Sequence, residues 1–159
     1  MTEKIFKLEP WAPEVKNVAE NLIKTIKSVV PELEVLFMGA AALELPGKND
    51  IDLDILCDHK DIEYYREKLI PILGMPKEIN NDLTAWNYEL NGFEIDLILS
   101  DPKTSHVPIQ QKVFENLKNN NMLKEEYKKL KIECDGVPYA EYERRKIEFF
   151  ENKILSNED

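Results

Sequence analysis

The chain has 159 residues, 31 acidic against 21 basic, for a formal net charge of -10, and 43% of its side chains are apolar. That length and apolar content suit one domain over 1–159 with a real core, and they exclude wholesale disorder. The acidic excess argues against a general nucleic-acid binder, which holds phosphate with Lys and Arg. The longest uncharged apolar run, Val35 to Leu43, falls well short of the roughly 20 residues of a membrane span.

In chain order, Val15, Val18, Ala19, Leu22, Ile26 and Val29 recur at helical spacing between Pro13 and Val30, and Pro31 stops that helix. Val35–Met38 reads as a short buried strand. Gly39–Gly47 is a small-residue loop with room for one helical turn. Ile51–Cys57 alternates Ile, Leu and Ile with Asp, the period of a strand. Asp61–Leu73 reads as a helix ended by Gly74 and Pro76. Leu83–Leu90 and Phe93–Leu99 alternate on either side of Asn91-Gly92, a dipeptide that favours a type I′ hairpin turn. Three helices follow, over about Val107–Asn119, Met122–Cys134 and Tyr139–Leu155, and then a polar tail. This order predicts a mixed α+β domain with a helical C-terminal region rather than a βαβ repeat.

The two cysteines, Cys57 and Cys134, have no metal-ligand or CxxC spacing. With an N-terminus that lacks the basic start and apolar run of a signal peptide, they read as buried, reduced thiols of a cytoplasmic protein.

The chemistry concentrates in three carboxylates. Residues i and i+2 of a strand share a face, so Asp52 and Asp54 project together while Ile51, Leu53 and Ile55 point to the core. On the second hairpin strand Ile95, Leu97 and Leu99 take the core face and leave Glu94 and Asp96 on the other. Asp is depleted in strands, and three on neighbouring strands repel one another unless a divalent cation joins them. The bland alternative is the wet face of a half-exposed sheet. Gly39, at the end of the preceding strand, lets backbone approach a phosphate, with a helix N-terminus after it. A plain tight turn needs the same small residues.

Phe37-Met38-Gly39-Ala40, eleven residues, then Asp52-Leu53-Asp54-Ile55 resembles the nucleotidyltransferase signature of the DNA polymerase beta superfamily, with Asp96 in the place of its third acid. Within it, Gly39-Ala40 followed by Lys48-Asn49-Asp50-Ile51-Asp52 is similar to the GrpB-like family. So are the tail residues Phe114-Glu115-Asn116-Leu117, Glu126-Tyr127, Leu130-Lys131, Tyr142, Lys146, Phe149 and Ile154-Leu155. The resemblance covers the chain from about residue 33 onward. Ala40 stands where the superfamily usually has Ser or Gly, so a phosphate-contacting hydroxyl is missing, and Asn49 stands where the family usually has Pro.

The resemblance implies a nucleotidyltransferase-like mixed sheet and transfer of a nucleotidyl group from a nucleoside triphosphate to a small-molecule or protein acceptor. It implies Mg²⁺ or Mn²⁺ held by Asp52, Asp54 and Asp96, with Asp96 also placed to act as base. Gly39, Ala40 and Lys48 would contact the nucleotide. The rivals are a catalytically inactive module of the same fold that binds a nucleotide or a protein, and an acidic structural domain whose carboxylates bind nothing.

The remaining polar and aromatic residues read as follows. His106 lacks a second His or a Cys for a metal, and His59 sits at the surface. Trp86 and Tyr88 either wall a base-binding cleft or pack in the core. Arg144-Arg145 either reach a phosphate or form a solvated pair, and Lys124–Lys131 is a mixed-charge helix face.

Overall fold

Alternation of apolar and acidic residues builds the centre of the fold, seen in a computed structural model that describes residues 3–103 and 106–157. The elements are α1 (Glu14–Val29), β1 (Glu34–Met38), α2 (Gly39–Ala42), β2 (Ile51–Leu56), α3 (Ile62–Leu73), β3 (Glu78–Ile79), β4 (Leu83–Leu90), β5 (Phe93–Ser100), α4 (Val107–Asn119), α5 (Asn121–Glu133) and α6 (Tyr139–Lys153). The strands form one mixed sheet in the order β1-β2-β5-β4-β3. Only β2 and β5 run parallel; the other pairs are antiparallel. A parallel pair needs a long crossover, and here α3, β3 and β4 supply it.

Ile51, Leu53 and Ile55 of β2 and Ile95, Leu97 and Leu99 of β5 all point to one face of the sheet. They pack there with Val15, Ala19, Leu22 and Ile26 of α1 and Leu69 of α3. Each such side chain contributes about 1.5–3 kcal/mol relative to exposure. α1 starts after Pro13, whose φ of -58° already suits a helix, and ends where Pro31 has no N–H to offer. The hairpin turn has Asn91 at φ 54° and Gly92 at φ 86°, both left-handed, as a type I′ turn requires.

The C-terminal helices cover part of the opposite face. Leu117 of α4, Leu123 and Tyr127 of α5 and Ile154 pack with Leu43 and Leu45 from the loop between α2 and β2. A third cluster joins Phe6 to Cys134 and Tyr142, so the N-terminal segment packs against α6. The mixed α+β sheet with flanking helices and a helical C-terminal region is the class expected from the sequence.

Local differences are small. β3 is a two-residue, exposed edge strand with no alternation to betray it. β2 stops at Leu56, although the Cys57 N–H still donates to the Ser100 carbonyl at 3.1 Å. α5 begins one residue early because Asn120 caps it, its Oδ1 accepting from the Leu123 N–H. Both cysteines are free and buried, and burial, aided by nearby Asp61, Asp101 and Asp58, pushes the Cys57 thiol up to about 12. Among the described residues no helix is long and apolar enough to cross a membrane.

Candidate active site

The pairing of β2 with β5 sets Asp52 and Asp96 side by side as Cα partners. Both line a cavity of about 340 Å³ between the sheet and the C-terminal helices, together with Asp54, Gly39, Ala40 and Lys48. The three carboxylates and the three residues expected to contact a nucleotide therefore line one space. The strand face is not simply wet: Asp54 is only 4% exposed, and its buried Oδ2 has no hydrogen-bond partner among the described residues.

Burial acts first on Asp52, and the charges of Asp96, Asp50 and Asp54 add to it, so its carboxyl is pushed up to about 7. Burial also raises Asp54, opposed by the His106 charge. Asp96 Oδ1 accepts from Asn87 Nδ2 at 2.6 Å, and the same Asn87 group reaches Glu94 at 3.0 Å. Asn87 is the cross-strand partner of Asp96, so the hairpin register orients that carboxylate.

Among the described residues, no three acid, His or Cys side chains stand together at metal-ligand spacing. The acids do fit a cation held more sparsely. A buried Asp54 oxygen without a partner among the described residues and an Asp52 carboxyl raised by burial and by its acidic neighbours are both relieved by positive charge. Mg²⁺ commonly takes only one or two carboxylates, completing its shell with water and substrate phosphate.

Gly39 is at φ 85°, and a Cβ there would stand 2.5 Å from Asp52 Oδ2. The Asp52 carboxylate therefore lies directly against the Gly39 backbone, which only glycine permits. The helix that begins at Gly39 is a single four-residue turn, the one helical turn for which the sequence leaves room in this loop. Lys48 pairs with Asp50 at 3.1 Å and lies 4.8 Å from the Tyr139 ring centre. Burial alone would lower its ammonium, but Asp50 and Tyr139 hold it above its ordinary range.

Asn49 has a left-handed φ of 58°, a conformation closed to the Pro expected at this position. Its Oδ1 accepts from the Ala12 N–H at 2.9 Å and its Nδ2 donates to the Pro10 carbonyl at 3.0 Å. The departure thus ties the N-terminal segment to the loop before β2.

Trp86 is 2% exposed in the core and donates from Nε1 to the Gly74 carbonyl at 2.8 Å, so of its two readings packing is the one found. Arg144 and Arg145 both pair with Glu141, at 2.8 and 3.0 Å, and neither lines the cavity. His59 is exposed, 3.5 Å from Asp82.

The residue that sequence reasoning missed is Lys131. Placed on a mixed-charge helix face by its neighbours, it is instead 3% exposed and lines the cavity. Burial first, then the charge of Lys146, pushes its ammonium down to about 8, against the pull of Asp50 and Glu143. The spacing of Leu123, Tyr127, Leu130 and Lys131 on one helical stripe is the signal that would have found it.

No protein-family model matches the chain, and no curated protein matches it. Among solved structures, it is similar to the Cid1 poly(U) polymerase with MgGTP bound. Identity is 20% over 78% of this chain and 44% of that one, with a TM-score of 0.41. The chain therefore spans less than half the length of that polymerase.

Proposed function

We propose that this protein is a metal-dependent nucleotidyltransferase of the DNA polymerase beta superfamily, GrpB-like in its sequence motifs. One observation carries the reading: Asp52, Asp54 and Asp96 line one cavity, Asp52 lies against the bare backbone of Gly39, and a buried Asp54 oxygen has no hydrogen-bond partner among the described residues. A strand face that served only solubility would leave these acids solvated and apart. In this reading residues 1–159 work as one domain, the C-terminal helices walling the cavity.

Asp52 and Asp54 are the carboxylates that would hold Mg²⁺ or Mn²⁺, which when bound neutralises charge on the phosphates. Gly39 and Ala40 offer backbone to the phosphate chain, and Lys48 offers charge. Asp96 takes the proton from the acceptor hydroxyl or amine as it bonds to the α-phosphorus. The bond from that phosphorus to the β-phosphate oxygen breaks, and pyrophosphate leaves. Asn87 holds one Asp96 oxygen and leaves the other for that proton.

Isothermal titration with each of the four common nucleoside triphosphates in Mg²⁺ or Mn²⁺ tests the reading. The expected result is saturable binding of at least one, with a matching rise in melting temperature. At a ligand concentration 100 times Kd the gain is about 2.7 kcal/mol. No heat and no thermal shift with any of them would overturn it. One observation favours the non-catalytic module as second reading: Ala40, on the cavity wall, stands where the superfamily usually has Ser or Gly. That module binds nucleotide but releases no pyrophosphate.

A further inference from the structure

Three lysines line the cavity, and two of them are neutralised: Lys48 by Asp50 and Lys146 by Glu143, each at 3.1 Å. Lys131 has no such partner; among the described residues no carboxylate stands within 4.0 Å of its Nζ. It donates one hydrogen bond, to Tyr142 Oη at 2.9 Å. Around it stand the rings of Tyr127, Tyr142 and Phe6, with centres 5.0, 5.3 and 5.6 Å from Nζ. The backbone of Gly47 closes over it, since a Cβ there would lie 3.1 Å from Nζ.

Ring faces hold a cation without neutralising it. A lysine buried with one hydrogen bond leaves donors unused, and an apolar side chain of similar volume would suit the fold better. Lys131 is one of the side chains that line the cavity.

We propose that Lys131 is the anion anchor of this cavity, taking a phosphate group of the nucleotide, and that Phe6 is the residue that positions it. The nucleotide rests on the function proposed above; the anchor itself needs only a phosphate anion. Phe6 is fully buried and stacks on the Tyr142 ring, with centres 3.8 Å apart and planes 9° apart. The Phe6 N–H donates to the Val137 carbonyl, and the Gly136 N–H donates to the Phe6 carbonyl, both at 2.8 Å. Glu9 and Gly47 exchange backbone bonds of 2.8 and 3.0 Å. The N-terminal segment thus fixes Tyr142, and the Tyr142 hydroxyl fixes Lys131. This segment lies outside the part of the chain that resembles the GrpB-like family.

The test is titration of inorganic tripolyphosphate into the full-length protein, without metal, in an Asp52→Asn background that removes one repelling charge. Binding is expected there. Adding Lys131→Met should weaken it at least tenfold while raising the melting temperature of the free protein, a combination that misfolding does not produce. Lys131→Arg should retain most of the affinity. Phe6→Leu should weaken binding several-fold, whereas Ile26→Val, a core truncation on the far face of the sheet, should leave it unchanged.

No tripolyphosphate binding in the Asp52→Asn protein, or equal binding with Lys131→Met, overturns the anchor. Equal effects of Phe6→Leu and Ile26→Val overturn the positioning role. Lys131-dependent binding in a protein that ignores metal and nucleoside triphosphate supports the anchor and removes the nucleotidyltransferase reading instead.

Discussion

Gly39 and Asp52 are packed so closely that a methyl group on Gly39 would stand 2.5 Å from Asp52 Oδ2. The loop after β1 and the acid of β2 are therefore one unit. Gly39→Ala meets two penalties, a φ of 85° and this contact, and should cost about 1–3 kcal/mol. Thermal melts should show a fall of roughly 2–4 °C per kcal/mol. Adding Asp52→Ala should recover part of it by removing the contact and leaving only the backbone strain. Equal melting of Gly39→Ala and wild type would mean the loop does not rest on Asp52.

Asp52→Asn should raise the stability of the protein in chelator by about 1 kcal/mol or more, because it removes a buried charge beside Asp96, Asp50 and Asp54. In Mn²⁺ the ranking should reverse in response: wild type gains more from the metal than the variant does. Melts of both proteins, each with chelator and with Mn²⁺, supply the comparison. An identical Mn²⁺ response in the two rules Asp52 out as a ligand.

The same group predicts a pH dependence. The folded protein holds the Asp52 proton up to about 7, whereas the unfolded chain releases it near the ordinary 3.8. The native state binds more protons between those values, so this contribution is complete below the lower one and lost as pH rises through the upper one. The advantage of Asp52→Asn in chelator should therefore grow from about pH 4 to pH 7 and level off above it. An advantage independent of pH over that window would show an ordinary, solvated carboxylate at this position.

Ala40→Ser restores a hydroxyl on the cavity wall. If a nucleotide phosphate lies beside α2, its affinity should rise, by at most the roughly 1.5–3 kcal/mol of a hydrogen bond to a charged group. Calorimetric titration of the best-bound triphosphate reads the change. Unchanged or weaker binding would put the phosphates elsewhere in the cavity.

Asn49 offers a test of the N-terminal tie. Asn49→Ala removes the bonds to Ala12 and Pro10 and should cost about 1–2 kcal/mol. Asn49→Pro should cost more, since Pro cannot reach a φ of 58°. Chemical denaturation of the two variants gives the order; a Pro variant as stable as wild type would mean the loop readily adopts another path.

Residues whose roles depend on local pattern are legible in the sequence itself. Alternation in β2 and β5 separates Ile51, Leu53 and Ile55 from Asp52 and Asp54, because a strand must send neighbours to opposite faces. Asn91-Gly92 specifies its turn because both positions need a left-handed φ. The spacing of α1 and the stop at Pro31 follow from backbone chemistry alone. What alternation cannot reveal is which strands become neighbours. Only the parallel pairing of β2 with β5 makes Asp52 and Asp96 partners, and only the tertiary packing leaves Asp54 buried. Lys131 is the sharpest case. The stretch around it is rich in lysines and glutamates, but its burial comes from Phe6, Gly47 and Tyr142, which lie on other segments of the chain. A side chain's facing direction is a local property of its element; its surroundings are a property of every element that packs there.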